Sequence, residues 1–306
     1  MRDDRQPAAP PPARQGFGLA LTILTTALFA CITTCSRFAY AAGSNPETLL
    51  LIRFAGFVIG IGLAQRLAGR RIQARRIMIA PAIGIASFIL LLSAGYLTAA
   101  ALLPIGLAVL LLYTAPFFVA LLSVALKRDR MTVAKGATMV LAFVGVTLAV
   151  GPDFGHLSPG GIIAGFTAAL GLVLMIAIGG RWMQRHDPVS LNILACLLLI
   201  PPVAAYLALS GRLALPAGMS GWLGLAGATF CYVSGNLCWG FAMRHLPPIR
   251  MAVVMNLEIP LSIAFGALFL GERLGPVQLA GAALILLAVT GLTLAGRGPK
   301  GTLPNI

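Results

Sequence analysis

The sequence predicts an all-α integral membrane protein of ten transmembrane helices, laid out as two inverted five-helix repeats. Composition, the length of the apolar runs and an internal similarity between the two halves carry that prediction. Of 306 residues, 59% are apolar and only 10% charged, against roughly 25% charged in an ordinary soluble domain. Runs of about 20 apolar residues, long enough for a hydrocarbon layer of ~30 Å, recur along the whole length. Such a chain is not a cytosolic enzyme, a secreted disulfide scaffold or a nucleic-acid binder. The net charge of +14 would suit a polyanion if the basic residues covered a folded surface, but they sit between apolar runs.

In chain order, residues 1–15 read as a disordered, Pro-rich cytoplasmic tail, followed by spans near 17–36, 48–67, 77–97, 103–126 and 132–150. Spans six to ten fall near 160–180, 188–208, 219–243, 249–270 and 276–295, and residues 297–306 form a second cytoplasmic tail. All but four of the 22 Lys and Arg then fall on one side of the membrane, the exceptions being Arg37, Arg53, Arg212 and Arg273. Positive segments resist translocation, so that side is the cytoplasm and both termini lie there. Cys31, Cys35, Cys196, Cys231 and Cys238 all fall within spans and read as packing residues, with no metal site and no disulfide framework.

The segment from Tyr96 to Leu126 lies without gaps on Gly240 to Leu270. Pro104 then meets Pro248, Pro116 meets Pro260, and Leu102, Ile105, Ala108, Val109 and Leu126 also find identical partners. With a one-residue gap, Gly136 pairs with Gly281 and Gly151 with Gly296. Residues 16–151 and 158–296 thus read as two copies of one unit. An odd number of spans per copy inserts the second upside down, the symmetry of alternating-access carriers.

The stretch Tyr113-Thr-Ala-Pro116 to Leu126, and its counterpart Asn256-Leu-Glu258-Ile-Pro260 to Leu270-Gly271-Glu272-Arg273-Leu274, resemble the fourth and ninth helices of EamA-type transporters in the drug/metabolite transporter superfamily. Arg53 in Leu-Leu-Ile-Arg-Phe resembles a second-helix pattern of the same family. The resemblance covers residues 17–296, with one departure: Lys127-Arg128-Asp129-Arg130 stands where the first repeat should carry an acidic Gly-Glu-Arg turn. It implies secondary transport across a bacterial inner membrane, with export of amino acids or related metabolites. In that frame Glu272 is structural, near the N-terminus of the tenth helix, where a carboxylate is favoured.

A carboxylate at mid-bilayer is costly and usually functional, which singles out Glu258 as a proton carrier or as the partner of a cationic substrate group. Arg53 reads as an anion contact, as a structural partner for a carboxylate such as Glu47, or as a side chain snorkelling outward. Tyr232, Asn236, Trp239 and Met243 share a helical face in span eight, and Phe88, Leu92 and Tyr96 do so in span three. The expected substrate cavity is lined by Tyr96, Tyr113, Tyr232, Asn236, Trp239, Asn256 and Glu258. Pro104, Pro116, Pro248 and Pro260 are read as helix breaks that permit bending. The hydroxyls of span one can return their hydrogen bonds to their own helix, and Gly56/Gly60 and Gly161/Gly165 suit close helix packing. Asp153 and His156 read as loop residues. No catalytic group, metal site, cofactor or nucleotide-binding loop is expected, so the chain reads as no enzyme. Expected partners are a small-molecule substrate, membrane lipid, a coupling proton and a second copy as homodimer, but no nucleic acid. The rival readings are a multidrug exporter or uptake carrier of the same fold, and a polytopic lipid-modifying enzyme or assembly factor.

Overall fold

A computed structural model describes residues 12–73, 75–115, 117–119, 122, 136–137, 140–141, 144–145, 148, 158–242, 245, 251, 254–273 and 275–295. Among them every regular element is helical. Helix α1 (Pro12–Ala41) begins inside the segment expected to be a tail. Helix α2 (Pro46–Leu67) starts at Asn45, whose side-chain oxygen accepts from Thr48 N–H at 2.8 Å, with a proline in the first turn where no N–H is required. A 3₁₀ turn (Arg76–Met78) leads into α3 (Ile79–Leu102). Pro104 then holds Leu103 and itself in extended conformation, and α4 (Ile105–Leu112) starts afresh beyond it.

Helix α5 (Pro159–Leu174) continues through a π-helical turn (Met175–Gly179) into a last stretch (Gly180–Arg185). Asp187 caps α6 (Pro188–Ser210) by accepting from Ser190 N–H at 2.8 Å. Helices α7 (Gly218–Ala242), α8 (Glu258–Leu270) and α9 (Pro276–Ala295) follow, α8 ending at Gly271 with φ +67°, a left-handed cap that suits glycine. These helices overlie spans one to four and six to ten, while span five lies largely outside the described residues.

Two spans are not continuous helices. The chain turns at Tyr113–Thr114 after α4, and again at Asn256–Leu257 before α8. Pro260 is the third residue of α8. It stands in the first turn, where its missing N–H leaves no acceptor unsatisfied.

Five of the described segments are long and apolar enough to cross a membrane: Gly16–Ala41, Pro46–Leu67, Arg76–Leu102, Pro159–Arg185 and Pro188–Ser210. Large apolar side chains such as Leu67, Leu209 and Leu268 point outward, whereas Thr22, Thr26, Thr33, Ser36, Arg53 and Glu258 are buried. That distribution suits a lipid solvent.

Helix α1 lies along α7, and α3 along α5. Both seams bring backbones together: a Cβ on Gly95 would stand 2.6 Å from Ala164 O, and one on Gly224 would stand 2.6 Å from Cys35 O. Helix α2 packs on α6 and α7, α3 on α6, α1 on α8, and α4 on both α5 and α8. The Gly56/Gly60 face meets Thr229 and Val233 of α7, and the Gly161/Gly165 face meets Leu103 and Leu111. One apolar core gathers Leu49, Phe54, Ile85, Leu191 and Leu225, the other Leu103, Ile105, Leu111, Ile259 and Ile285. The polar groups described next sit where α1, α2, α3, α4 and α8 converge between these cores.

Candidate functional site

Glu258 is the first residue of α8 and only 7% exposed. Exposed backbone N–H groups of a first helical turn favour a negative charge there. Among the described residues no cation is paired with it. Its partner is a phenol: Tyr113 Oη lies 2.9 Å from Glu258 Oε2 and also 2.9 Å from Met255 O.

Tyr113 has one proton to give, and its two neighbours set where it goes. The Met255 carbonyl can only accept. If Tyr113 donates to it, the contact with Glu258 is a hydrogen bond only when the carboxyl carries a proton of its own and donates it. If Glu258 is ionised, Tyr113 donates to the carboxylate and the carbonyl loses its donor. The single Tyr113 proton can thus answer either acceptor, at the two helix breaks after α4 and before α8.

Other polar groups surround this pair. Ser262, one turn further along α8, is fully buried, and its hydroxyl has no hydrogen-bond partner among the described residues. Tyr96 on α3 is buried as well, and its hydroxyl makes no hydrogen bond of good geometry among the described residues. Asn256 donates from Nδ2 to Thr290 Oγ1 on α9 at 3.2 Å. Buried polar atoms without protein partners are expensive, so this is where a polar guest is best received.

Arg53 is buried to 3% exposure and does not snorkel. Its guanidinium carbon stands 4.3 Å from the centre of the Tyr232 ring, and among the described residues Nε has no hydrogen-bond partner. Glu47 does not pair with it, because Arg212 takes Glu47 at 3.1 Å. Tyr206 Oη, 3.1 Å from Arg212, and then Glu47 hold the Arg212 guanidinium above its ordinary range.

The expected stripe on span eight divides. Tyr232 faces Arg53 and Phe57. Asn236 satisfies its amide locally, donating to Tyr232 O at 2.8 Å. Trp239 is 38% exposed, and no hydrogen bond or ring contact ties it to Glu258 among the described residues. On α3, Phe88 stacks on Trp182 at 5.9 Å, away from Tyr96. Thr22, Thr25, Thr26, Thr33 and Ser36 all donate to carbonyls of their own helix. The cysteines are free, and no group of His, Cys, Asp or Glu among the described residues could hold a metal. Pro116, Pro248, Met243, Asp153, His156 and Lys127–Arg130 lie outside the described residues.

One cluster escaped the sequence reading. Glu272 Oε1 accepts from Arg37 Nη2 at 2.9 Å, and Oε2 accepts from the Ile105 N–H that opens α4 at 2.9 Å. Arg37 Nη1 also donates to Ala101 O near the end of α3 at 3.2 Å. One carboxylate thus clamps α1, the α3–α4 junction and the end of α8. The family turn pointed to Glu272 as structural, but nothing in the sequence pointed to Arg37 as its partner.

Residues 159–294 match the EamA-like transporter family. The chain is 31% identical over 204 residues to the threonine/homoserine exporter RhtA of Escherichia coli (strain K12), covering 63% of this chain. The match spans 64% of that relative's length. An uncharacterized transporter of Archaeoglobus fulgidus is 26% identical over 275 residues, covering 89% of this chain and 95% of its own. A solved crystal structure shares the fold at TM-score 0.63 and 17% identity, covering 92% of this chain and 99% of that one.

Proposed function

We propose, from the premise that this chain is an EamA-type member of the drug/metabolite transporter superfamily, that it is a secondary carrier exporting a small metabolite, an amino acid or a related compound. It works by alternating access from a bacterial inner membrane, with both termini cytoplasmic. Residues 16–151 and 158–296 form two inverted five-helix repeats in this reading. Exchanging α1–α4 for α5–α8 turns the α1–α7 seam into α5–α3, α1–α8 into α5–α4 and α2–α7 into α6–α3, and each of these pairs is in contact. The offset also sets the Tyr113–Thr114 turn against the Asn256–Leu257 turn within a residue.

The observation that carries the reading is a buried carboxylate that, among the described residues, is answered only by a phenol and lies one helical turn from the unpartnered Ser262 hydroxyl. A carrier needs such a group, one that can gain and lose a proton or an ammonium as the pocket opens to either side. Arg53 and Glu258, both buried, offer opposite charges to a zwitterion. Similarity to the threonine/homoserine exporter supports an amino acid as the first probe.

Purified protein in liposomes, with radiolabelled threonine or homoserine and an imposed pH gradient, tests this. Wild type should accumulate label down the proton gradient, and Glu258→Gln should abolish that drive while its melting temperature stays unchanged. Flux that is gradient-driven in both proteins would remove Glu258 as the coupling group. No flux of any amino acid by wild type would overturn the substrate class and favour the multidrug reading.

A further inference from the structure

Where α2 ends, the surface holds an open groove of about 610 Å³ that the transport pathway does not use. Its walls change character along one axis. Ile59 and Leu63 of α2 supply one end, both well exposed, and Arg66, Arg70 and Arg71 the other, with Ile72 beside them. Seven residues of helix separate Ile59 from Arg66, about 10 Å along the axis. Gly62 lines the groove and faces open space, since a Cβ there would meet nothing within 4 Å. No Asp or Glu lines the groove, and among the described residues none of the three guanidiniums is ion-paired. The segment beyond α2 is held in place by Gln73, whose N–H donates to Ser190 Oγ of α6 at 3.0 Å.

We propose that this groove binds one anionic phospholipid, its phosphate among Arg66, Arg70 and Arg71 and an acyl chain along Ile59 and Leu63. The charge arrangement selects the occupant. Arginine forks fit phosphate oxygens in pairs, and three uncompensated guanidiniums at the edge of an apolar span favour a lipid anion over a zwitterionic headgroup. A soluble anion would use the arginines and leave the apolar wall without a purpose. A lipid covers both with one molecule.

Native mass spectrometry of the purified chain in neutral detergent tests this, with phosphatidylglycerol and phosphatidylcholine of identical acyl chains as probes. Wild type should retain phosphatidylglycerol about fivefold better for each arginine engaged, and Arg66→Gln/Arg70→Gln/Arg71→Gln should retain both lipids equally. Equal retention by wild type, or an undiminished preference in the triple variant, would overturn the proposal. A competition on wild type needs no variant: excess inorganic phosphate should leave the lipid bound. Displacement by phosphate would mark a plain anion site and defeat the lipid assignment.

Discussion

Helix α8 is bounded by two carboxylates, and they are treated in opposite ways. Glu272, just beyond its end, has a full cation on one oxygen and a backbone N–H on the other. Glu258, its first residue, is more deeply buried and has one neutral hydroxyl, which it shares with a carbonyl. An acid with a fixed donor on each oxygen holds segments together. An acid left with a donor that can look elsewhere is free to change state, and that freedom is what a carrier can use.

The contrast can be broken or sharpened by substitution, read as thermal stability of the purified protein in detergent. Glu272→Ala should cost most, about 3 kcal/mol, because it strands Arg37 and the Ile105 N–H together in a partly buried place. Arg37→Lys should cost about 1 kcal/mol, since an ammonium keeps the charge but cannot fork between Glu272 and Ala101. Tyr113→Phe should lose about 1 kcal/mol, the worth of one ordinary hydrogen bond. Glu258→Gln should change stability least, by about 0.5 kcal/mol or less, because the amide oxygen still accepts from Tyr113 in the same shape. A Glu258→Gln variant melting as low as Glu272→Ala would make both acids structural and dissolve the distinction.

Sequence reasoning reached the all-helical, membrane-spanning class because run length marks an apolar span. It singled out Glu258, Tyr113, Tyr96 and Arg53 because polar groups stand out in an apolar run. Pairing was not legible. Tyr113 and Glu258 are 145 residues apart, and Arg37 and Glu272 are 235 apart. Helical spacing put Asn236 and Trp239 on one face, but an amide can be satisfied by the carbonyl four residues back, and only packing reveals that choice. Pro260 marked its break to within a few residues, and the turn at Asn256–Leu257 precedes it, as a ring that fits a first helical turn requires.

The glycine seams at Gly95 and Gly224 have a mechanical outcome. Close approach of main chain to main chain is lost if such a seam opens, so in the proposed carrier α3 with α5, and α1 with α7, are expected to move as pairs. Spin labels carried on the two members of one pair should therefore hold a constant separation through a transport cycle. Labels straddling α4 and α8, which are joined by one phenolic proton and one acid clamp, should register the stroke.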